Sequence, residues 1–378
     1  MATDKIPADN SSDVKPKMHV PQFRSFVDKS DYDFIAPVFE NNYIAEGPFA
    51  KRFHSELLEI IGSPHGVFAC NGTLAIYLAL KALGIGAGDE MLVQNVTFIA
   101  SANAVEMAGA TPVFVDIPSY DDMTIDLSKI KLTPKTKGMV IAHLFGTACS
   151  NIEEVKQFCD DNNLLLVEDA AQSLAVTNGT KHLGTYGDVG TFSFYADKTI
   201  TTAEGGFIVT PHQEVYDKMV YMRNQGRIRS GTFVHPEIGY NFRITDMQAA
   251  LGCSQLSKLD HIITEKQKIY RLYREHLSDH VEFLKLRDDF QHIPFRVIVF
   301  VDDAQKTMDY MGARGIEPRS VFYPLHQQPC YEHLGYDSVE FPNSVECFHR
   351  GICLPTWIGL TEEQIAYTSE ALIDSLNQ

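Results

Sequence analysis

Leu164-Leu-Leu-Val167-Glu168-Asp169-Ala-Ala-Gln172 is a short apolar run that ends abruptly in two carboxylates. A run this short and this apolar suits a strand buried on both faces, as in a mostly parallel sheet. Working outward, the same pattern recurs in Met91-Leu-Val93, Pro112-Val-Phe-Val115 and Gly138-Met-Val-Ile-Ala142. Helical patterns lie between these runs, over Leu74 to Leu83, Ala100 to Ala108 and Ile152 to Asn162. From about Ala50 to Val209 the chain therefore has a βαβ rhythm, and the large domain is read as α/β. In such sheets ligands bind beyond the carboxyl ends of the strands. Glu168 and Asp169 stand at such an end. A carboxylate there can pair with a protonated ring nitrogen and keep a heteroaromatic cofactor electron-poor. It can equally cap a helix. Gln172 can donate to an oxygen on the same ring, or cap.

A second stretch is Thr191-Phe-Ser-Phe-Tyr-Ala-Asp-Lys198-Thr-Ile-Thr-Thr-Ala-Glu-Gly-Gly206. Its lysine follows a buried strand, where an ammonium is costly to desolvate and loses its proton easily. The resulting amine can form a Schiff base with a carbonyl, including pyridoxal 5′-phosphate (PLP). The competing reading is a surface loop lysine. Ser193 is polar within that apolar strand and needs a partner, for which a phosphate oxygen would serve. Asn71-Gly72-Thr73 precedes a helical pattern, so it reads either as a phosphate site on a helix N-terminus or as an ordinary cap. Phe98 follows the strand at Met91 to Val93 and can stack on a planar cofactor or simply fill core. Asn241 and Arg243 open a helix and can cap it or reach an anion. His326, Cys330 and His333 lie close together, but their spacing fits no zinc signature, and Pro324 and Pro329 indicate a loop. No metal is expected, and a substrate loop is.

The chain has 378 residues and a formal net charge of -17. That argues against a nucleic-acid surface, which needs a basic face, and means that any anionic substrate is held by local donors. Its seven cysteines are scattered and odd in number, which points to a reducing, cytoplasmic compartment rather than a disulfide framework. No apolar run approaches the roughly 18 residues that a membrane span needs. Residues 1–17 are polar, have no signal-like core and read as a disordered tail. Residues 18–279 read as the large domain, ending in one continuous helix over Thr245 to Leu277 that links to a small α+β domain at 280–378. In the latter, Phe295 to Val301 reads as a strand, with helices over Ala304 to Gly312 and Glu362 to Leu376.

Taken together and in order, six segments resemble the fold-type I, PLP-dependent sugar aminotransferases of the DegT/DnrJ/EryC1/StrS family. They are Asn71-Gly-Thr73, Gly84-Ile-Gly-Ala-Gly-Asp-Glu90, Gly109-Ala-Thr-Pro-Val-Phe-Val-Asp116, Glu168-Asp-Ala-Ala-Gln172, Phe192-Ser-Phe-Tyr-Ala-Asp-Lys198 and Gly239-Tyr-Asn-Phe-Arg243. The resemblance implies that Lys198 is the Schiff-base lysine and proton shuttle, and that Asp169 partners the pyridine nitrogen. It places Gln172 at the ring's phenolic oxygen, Phe98 against the ring face, and Gly72, Thr73 and Ser193 at the phosphate. Asn241 matches a residue sent to the neighbour's phosphate, which implies an obligate homodimer. Arg319 and His326 match a loop near the sugar.

Within the family, Lys198-Thr-Ile-Thr-Thr and Val321-Phe-Tyr-Pro-Leu-His326 are most similar to the perosamine synthase-like subgroup. The implied reaction is amino transfer from L-glutamate to C-4 of a nucleotide-linked 4-keto-6-deoxyhexose, for surface glycan biosynthesis. C-3 amination, a sugar dehydratase and a non-catalytic regulatory protein are alternatives on the same fold. The dehydratase branch has histidine at the lysine position, so Lys198 counts against it. Ala203 stands where the family usually has glycine, and Ala196-Asp197 replaces a common Gly-Asn. Neither the nucleotide nor the carbon that is aminated follows from these residues.

Overall fold

The computed structural model describes residues 16–227 and 233–378. The tail expected over residues 1–17 lies outside the described residues up to residue 15. Two helices, α1 (Lys29–Glu40) and α2 (Pro48–Ile61), lead into β1 (His65–Ala69) and α3 (Gly72–Ala82). There follow β2 (Glu90–Gln94), α4 (Ala100–Ala108), β3 (Thr111–Val115), β4 (Thr136–Ala142), α5 (Ile152–Asp161) and β5 (Leu165–Asp169). Then come β6 (Val189–Ser193), β7 (Gly206–Thr210) and α6 (Gln213–Arg223). These strands form a seven-stranded sheet in the order β1-β7-β6-β5-β4-β2-β3. All neighbours from β3 to β6 are parallel, and β7 runs antiparallel to both β6 and β1.

Both faces of this sheet are covered, which is why its strands read as unbroken apolar runs. Val140 and Val167 face Ile76 and Leu80 of α3 and Val105 of α4. Their neighbours Met139, Ile141 and Leu166 face the other way, onto Ile152 and Val155 of α5. The alternation follows from the period of two along a strand. It also separates the two carboxylates at the end of β5, sending them to opposite faces.

The expected continuous helix over Thr245 to Leu277 is two helices, α7 (Asp246–Ser257) and α8 (Leu259–Leu277). Lys258 joins them with φ -105° and ψ 4°. Its ammonium reaches back to Asp31 at 2.7 Å and Asp28 at 3.1 Å. The break has a packing cause. Ala249 and Cys253 of α7 serve the core beneath α2, whereas Ile269, Tyr273 and Leu277 of α8 serve a second core. No straight helix satisfies both, and with neither proline nor glycine at the turn, periodicity carries no sign of it.

That second core belongs to a small sheet. Its strands are β8 (Glu282–Phe283), β9 (Val297–Phe300), β10 (Arg319–Ser320) and β11 (Gly351–Leu354), interleaved with α9 (Ala304–Gly312) and α10 (Pro342–Arg350) and followed by α11 (Glu362–Leu376). They pair antiparallel in the order β10-β11-β9-β8. One face, through Val297, Val299, Ile352 and Leu354, packs on α8, α9 and α11. Val20 is fully buried in the same core and bridges Ile316. The opposite face, through Ile298, Phe300, Cys353 and Val321, packs on Val96, Ala142 and Phe145 at the rim of the large sheet. Gly146 makes this close approach possible. It sits at φ +85°, and a Cβ there would stand 1.7 Å from the Ile293 carbonyl oxygen. No described helix is long and apolar enough to cross a membrane.

Candidate active site

A cavity of about 460 Å³ opens where β4, β5 and β6 end, facing the N-terminus of α3 and the small sheet. Lys198, Asp169, Gln172, Ser193, Gly72, Thr73, Phe98 and Arg319 all line it. The sequence scatters these residues over some 250 positions, and the parallel strands gather their ends at one rim. Asn241 and His326 do not line it. Asn241 is exposed, with its side-chain oxygen accepting from Arg243 Nε at 2.9 Å. His326 is buried outside the cavity wall. Its Nδ1 accepts from Asn95 Nδ2 at 2.8 Å, its Nε2 meets Ser338 Oγ at 3.2 Å, and its ring stacks on Phe341. It fastens the loop, while Ser320 and Phe322 of the same loop face the cavity.

At the helix end the cap reading holds, and it leaves room for the other. Asn71 is the cap: its side chain accepts from Leu74 N at 2.9 Å. That leaves the Gly72 and Thr73 amides without acceptors among the described residues, at the positive end of the helix dipole. Ser193 Oγ lies beside them. A Cβ on Gly72 would stand 3.0 Å from Ser193 Cβ and 3.3 Å from its oxygen, filling the notch between them.

The two carboxylates of β5 are now distinct. Glu168 is fully buried away from the cavity and accepts from the Gly184 amide at 2.8 Å, the Gly187 amide at 2.6 Å and His143 Nε2 at 2.8 Å. His143 Nδ1 accepts from the Cys149 amide at 3.2 Å, so its ring proton sits on Nε2 and is donated to Glu168. Asp169 faces the cavity and accepts from Ser101 Oγ at 2.7 Å and the Ala171 amide at 3.1 Å. Among the described residues it has no cationic partner. A buried carboxylate so placed calls for positive charge from a ligand. Gln172 is oriented by its own bond: its oxygen accepts from the Phe145 amide at 2.7 Å, which leaves its nitrogen as a donor. Lys198 is half-buried and has no carboxylate partner among the described residues. Burial lowers its pKa below the ordinary lysine value; Asp197 and Asp169 oppose that shift, and Arg296 adds to it. Phe98 is 53% exposed, which leaves its ring available to the cavity it lines.

Residues 27–373 match the DegT/DnrJ/EryC1/StrS aminotransferase family. The chain belongs to this family. It is similar to the GDP-perosamine synthase of Vibrio cholerae, with 34% identity over 92% of this chain and 96% of that protein. The GDP-perosamine synthase of Caulobacter vibrioides is likewise 34% identical, over 92% of this chain and 95% of its own. Among solved structures, S. venezuelae DesV superposes with a TM-score of 0.88 at 27% identity, covering 95% of this chain and 99% of DesV. The fold is that of the fold-type I PLP enzymes, and the chain is a PLP-dependent sugar aminotransferase acting on a nucleotide sugar and an amino donor.

The cavity of this aminotransferase fits PLP on chemical grounds. The free Gly72 and Thr73 amides and the Ser193 hydroxyl make a phosphate-sized donor set. The lone buried carboxylate of Asp169 suits a protonated pyridine, and an amine of lowered proton affinity stands in the same space. Of the residues contributed by the small sheet and its approach, sequence reasoning named Arg319 but missed Phe295, Arg296 and Cys353. A signal for Arg296 was present: it is a single arginine inside the apolar run Phe295 to Val301.

Proposed function

We propose that this aminotransferase moves an amino group from L-glutamate to C-4 of a nucleotide-linked 4-keto-6-deoxyhexose, supplying a surface glycan. The observation that carries the reading is the meeting of Lys198, Asp169 and the Gly72–Ser193 notch in one cavity. The two relatives named GDP-perosamine synthase make a GDP-linked sugar the first substrate to test. When bound, PLP supplies an electron-poor ring that takes up the electron pair released as a proton leaves the donor's carbon. The Gly72 and Thr73 amides and Ser193 hold the phosphate. Asp169 would keep the ring nitrogen protonated, Gln172 would donate to the ring's oxygen, and Phe98 would pack against the ring. Lys198 Nζ carries the proton between the reacting carbons, a task suited to an amine whose proton affinity burial has lowered. Arg319, exposed at the cavity mouth, meets the sugar nucleotide.

The enzyme works as a homodimer in the cytoplasm. Support for the dimer comes from Asn241, exposed and outside its own cavity, near the exposed apolar side chains Phe233, Val234 and Ile238. Seven free cysteines suit a reducing compartment. Residues 18–279 form the cofactor domain and 280–378 the small domain, with the Val20 stretch crossing to the small core.

The test is a panel of UDP-, GDP- and dTDP-linked 4-keto and 3-keto sugars offered with glutamate, with products weighed by mass spectrometry. A C-4 amine on a GDP sugar is expected. Amination of only 3-keto sugars, or elimination without nitrogen incorporation, would overturn the reading. For the dimer, an inactive Lys198→Ala chain is mixed with an impaired Asn241→Ala chain. One site of the mixed dimer then has both intact residues, and activity should return. If subunits exchange and none returns, Asn241 acts within its own chain.

A further inference from the structure

Two charged groups of the cavity wall, Asp197 and Arg296, have no part in the reading above. Arg296 immediately precedes β9 and is only 5% exposed. Its Nη2 donates to Asp197 Oδ2 at 2.6 Å, and its Nη1 donates to the Phe295 carbonyl at 2.9 Å. The guanidinium carbon lies 4.2 Å from the centre of the Phe295 ring and 5.8 Å from that of Phe23. Lys198 Nζ lies 4.7 Å from the centre of the same Phe295 ring. One aromatic ring thus serves both cations. Asp197, the residue next to Lys198, turns its carboxylate to Arg296, and no ion pair joins it to Lys198 among the described residues.

We propose that Asp197 and Arg296 form a positioning pair for Lys198. Arg296 takes up the neighbouring carboxylate, so that the Lys198 amine stays unpaired and faces the cavity. The inference rests on Lys198 being the reactive amine. A carboxylate one residue away, in a site poor in water, would otherwise pair with the amine, hold its proton and swing it from the cavity. Arg is suited to the task because its planar fork holds the carboxylate, the carbonyl and two aromatic faces at once. Other charges also face this cluster. Asp169 favours a proton on Lys198. Lys266 of α8 is buried behind the pair, with Nζ 3.4 Å from the Pro294 carbonyl oxygen. Burial, aided by Arg296 and opposed by Asp197, pulls the pKa of Lys266 down to about 7. Arg319 and Cys353 act on Arg296 from β10 and β11.

A charge-balance experiment on the full-length holoenzyme tests the pair. Bound-PLP absorbance is titrated with pH, and acetic anhydride labelling of Lys198 is followed against pH after the cofactor is removed. Arg296→Met leaves Asp197 unneutralised beside the amine, so both titrations should move up by about one pH unit or more. Asp197→Asn leaves the cation instead, and both should move down. The double variant restores neutrality and should return close to wild type, while Arg296→Lys keeps the charge and should titrate like wild type. If the two single variants shift in the same direction, or neither shifts, the pair only supports the fold and the proposal fails. Should Arg296→Met not fold, Asp197→Asn still decides it: a downward shift supports the pair, and no shift or an upward one overturns it. Borohydride reduction and peptide mapping run on the same samples. Cofactor found on another lysine would overturn the reading of Lys198 itself, a distinct failure.

Discussion

The cavity has two walls of different construction. One is the rim of the large sheet, where β4, β5 and β6 run parallel and end together. Its groups sit at strand ends and in the turns beyond them: free amides at Gly72 and Thr73, and a carboxylate at Asp169 locked by Ser101 and Ala171. The other is the small sheet, whose antiparallel β10 and β11 set Arg319 opposite Cys353, with Arg296 just ahead of β9. Its groups are long side chains projecting from or beside strands. Backbone donors at strand and helix ends cost little to preorganise, so the first wall is suited to gripping a fixed group. Side-chain charges respond to their neighbours, so the second wall is suited to tuning.

If the difference is real, changes in the two walls should fail differently. The largest effect is expected at the gripping wall. Asp169→Asn keeps the shape but removes the charge, and turnover should fall roughly 100-fold or more. Near wild-type turnover in steady-state assays would put the chemistry elsewhere and break the comparison.

Lys266, behind the tuning wall, should register in stability instead. It is 4% exposed, and its pKa in the folded chain is about 7. In the unfolded chain it returns to about 10.4. Between those values the unfolded state binds a proton that the folded state does not, so lowering pH from 10 to 7 costs stability, and below 7 the cost is constant. Lys266→Met should remove that slope and stabilise the protein at pH 7 by on the order of 4 kcal/mol. Urea unfolding at several pH values measures it. An unchanged slope would mean that Lys266 is not the group involved.

The smallest effect is expected at Ala203, in the turn between the lysine and β7. It adopts φ 66°, a conformation that suits glycine. Ala203→Gly should gain up to about 1 kcal/mol, since relief of the left-handed strain exceeds the added freedom of the unfolded chain. A loss in the same urea assay would show that the methyl group has packing value there.

The gripping wall was largely readable because its residues come in contiguous motifs tied to strand ends. The runs around β4 and β5 located that rim, and α4, α9 and α11 begin and end where their patterns do. The alternation along β5 separates Glu168 from Asp169, but which one faces the cavity depends on which side α3 covers, a long-range fact. Of the tuning wall only Arg319 was read, because the rest of its geometry is tertiary. Arg296 meets Asp197 across 99 positions, and nothing local to either residue announces the other. His326 shows the converse. Its loop was located, yet both ring nitrogens are engaged by Asn95 and Ser338, which only packing decides. The turn at Lys258 escaped for the same reason.

The buried Val20 stretch has a consequence for the order in which the protein is made. Strands β1 to β7 are contiguous in the chain, so they can pair as a ribosome releases them. The small sheet has no such freedom. Gln22 bonds to Glu317, a partner synthesised 295 residues later, and Val20 waits longer still for Ile352 and Leu354. A nascent chain therefore carries the Gly72–Ser193 notch with nothing opposite it until the segment from Glu317 to Leu354 has been made. The enclosed chamber comes late in synthesis, and it closes only when the Val20 stretch meets strands made some 300 residues after it.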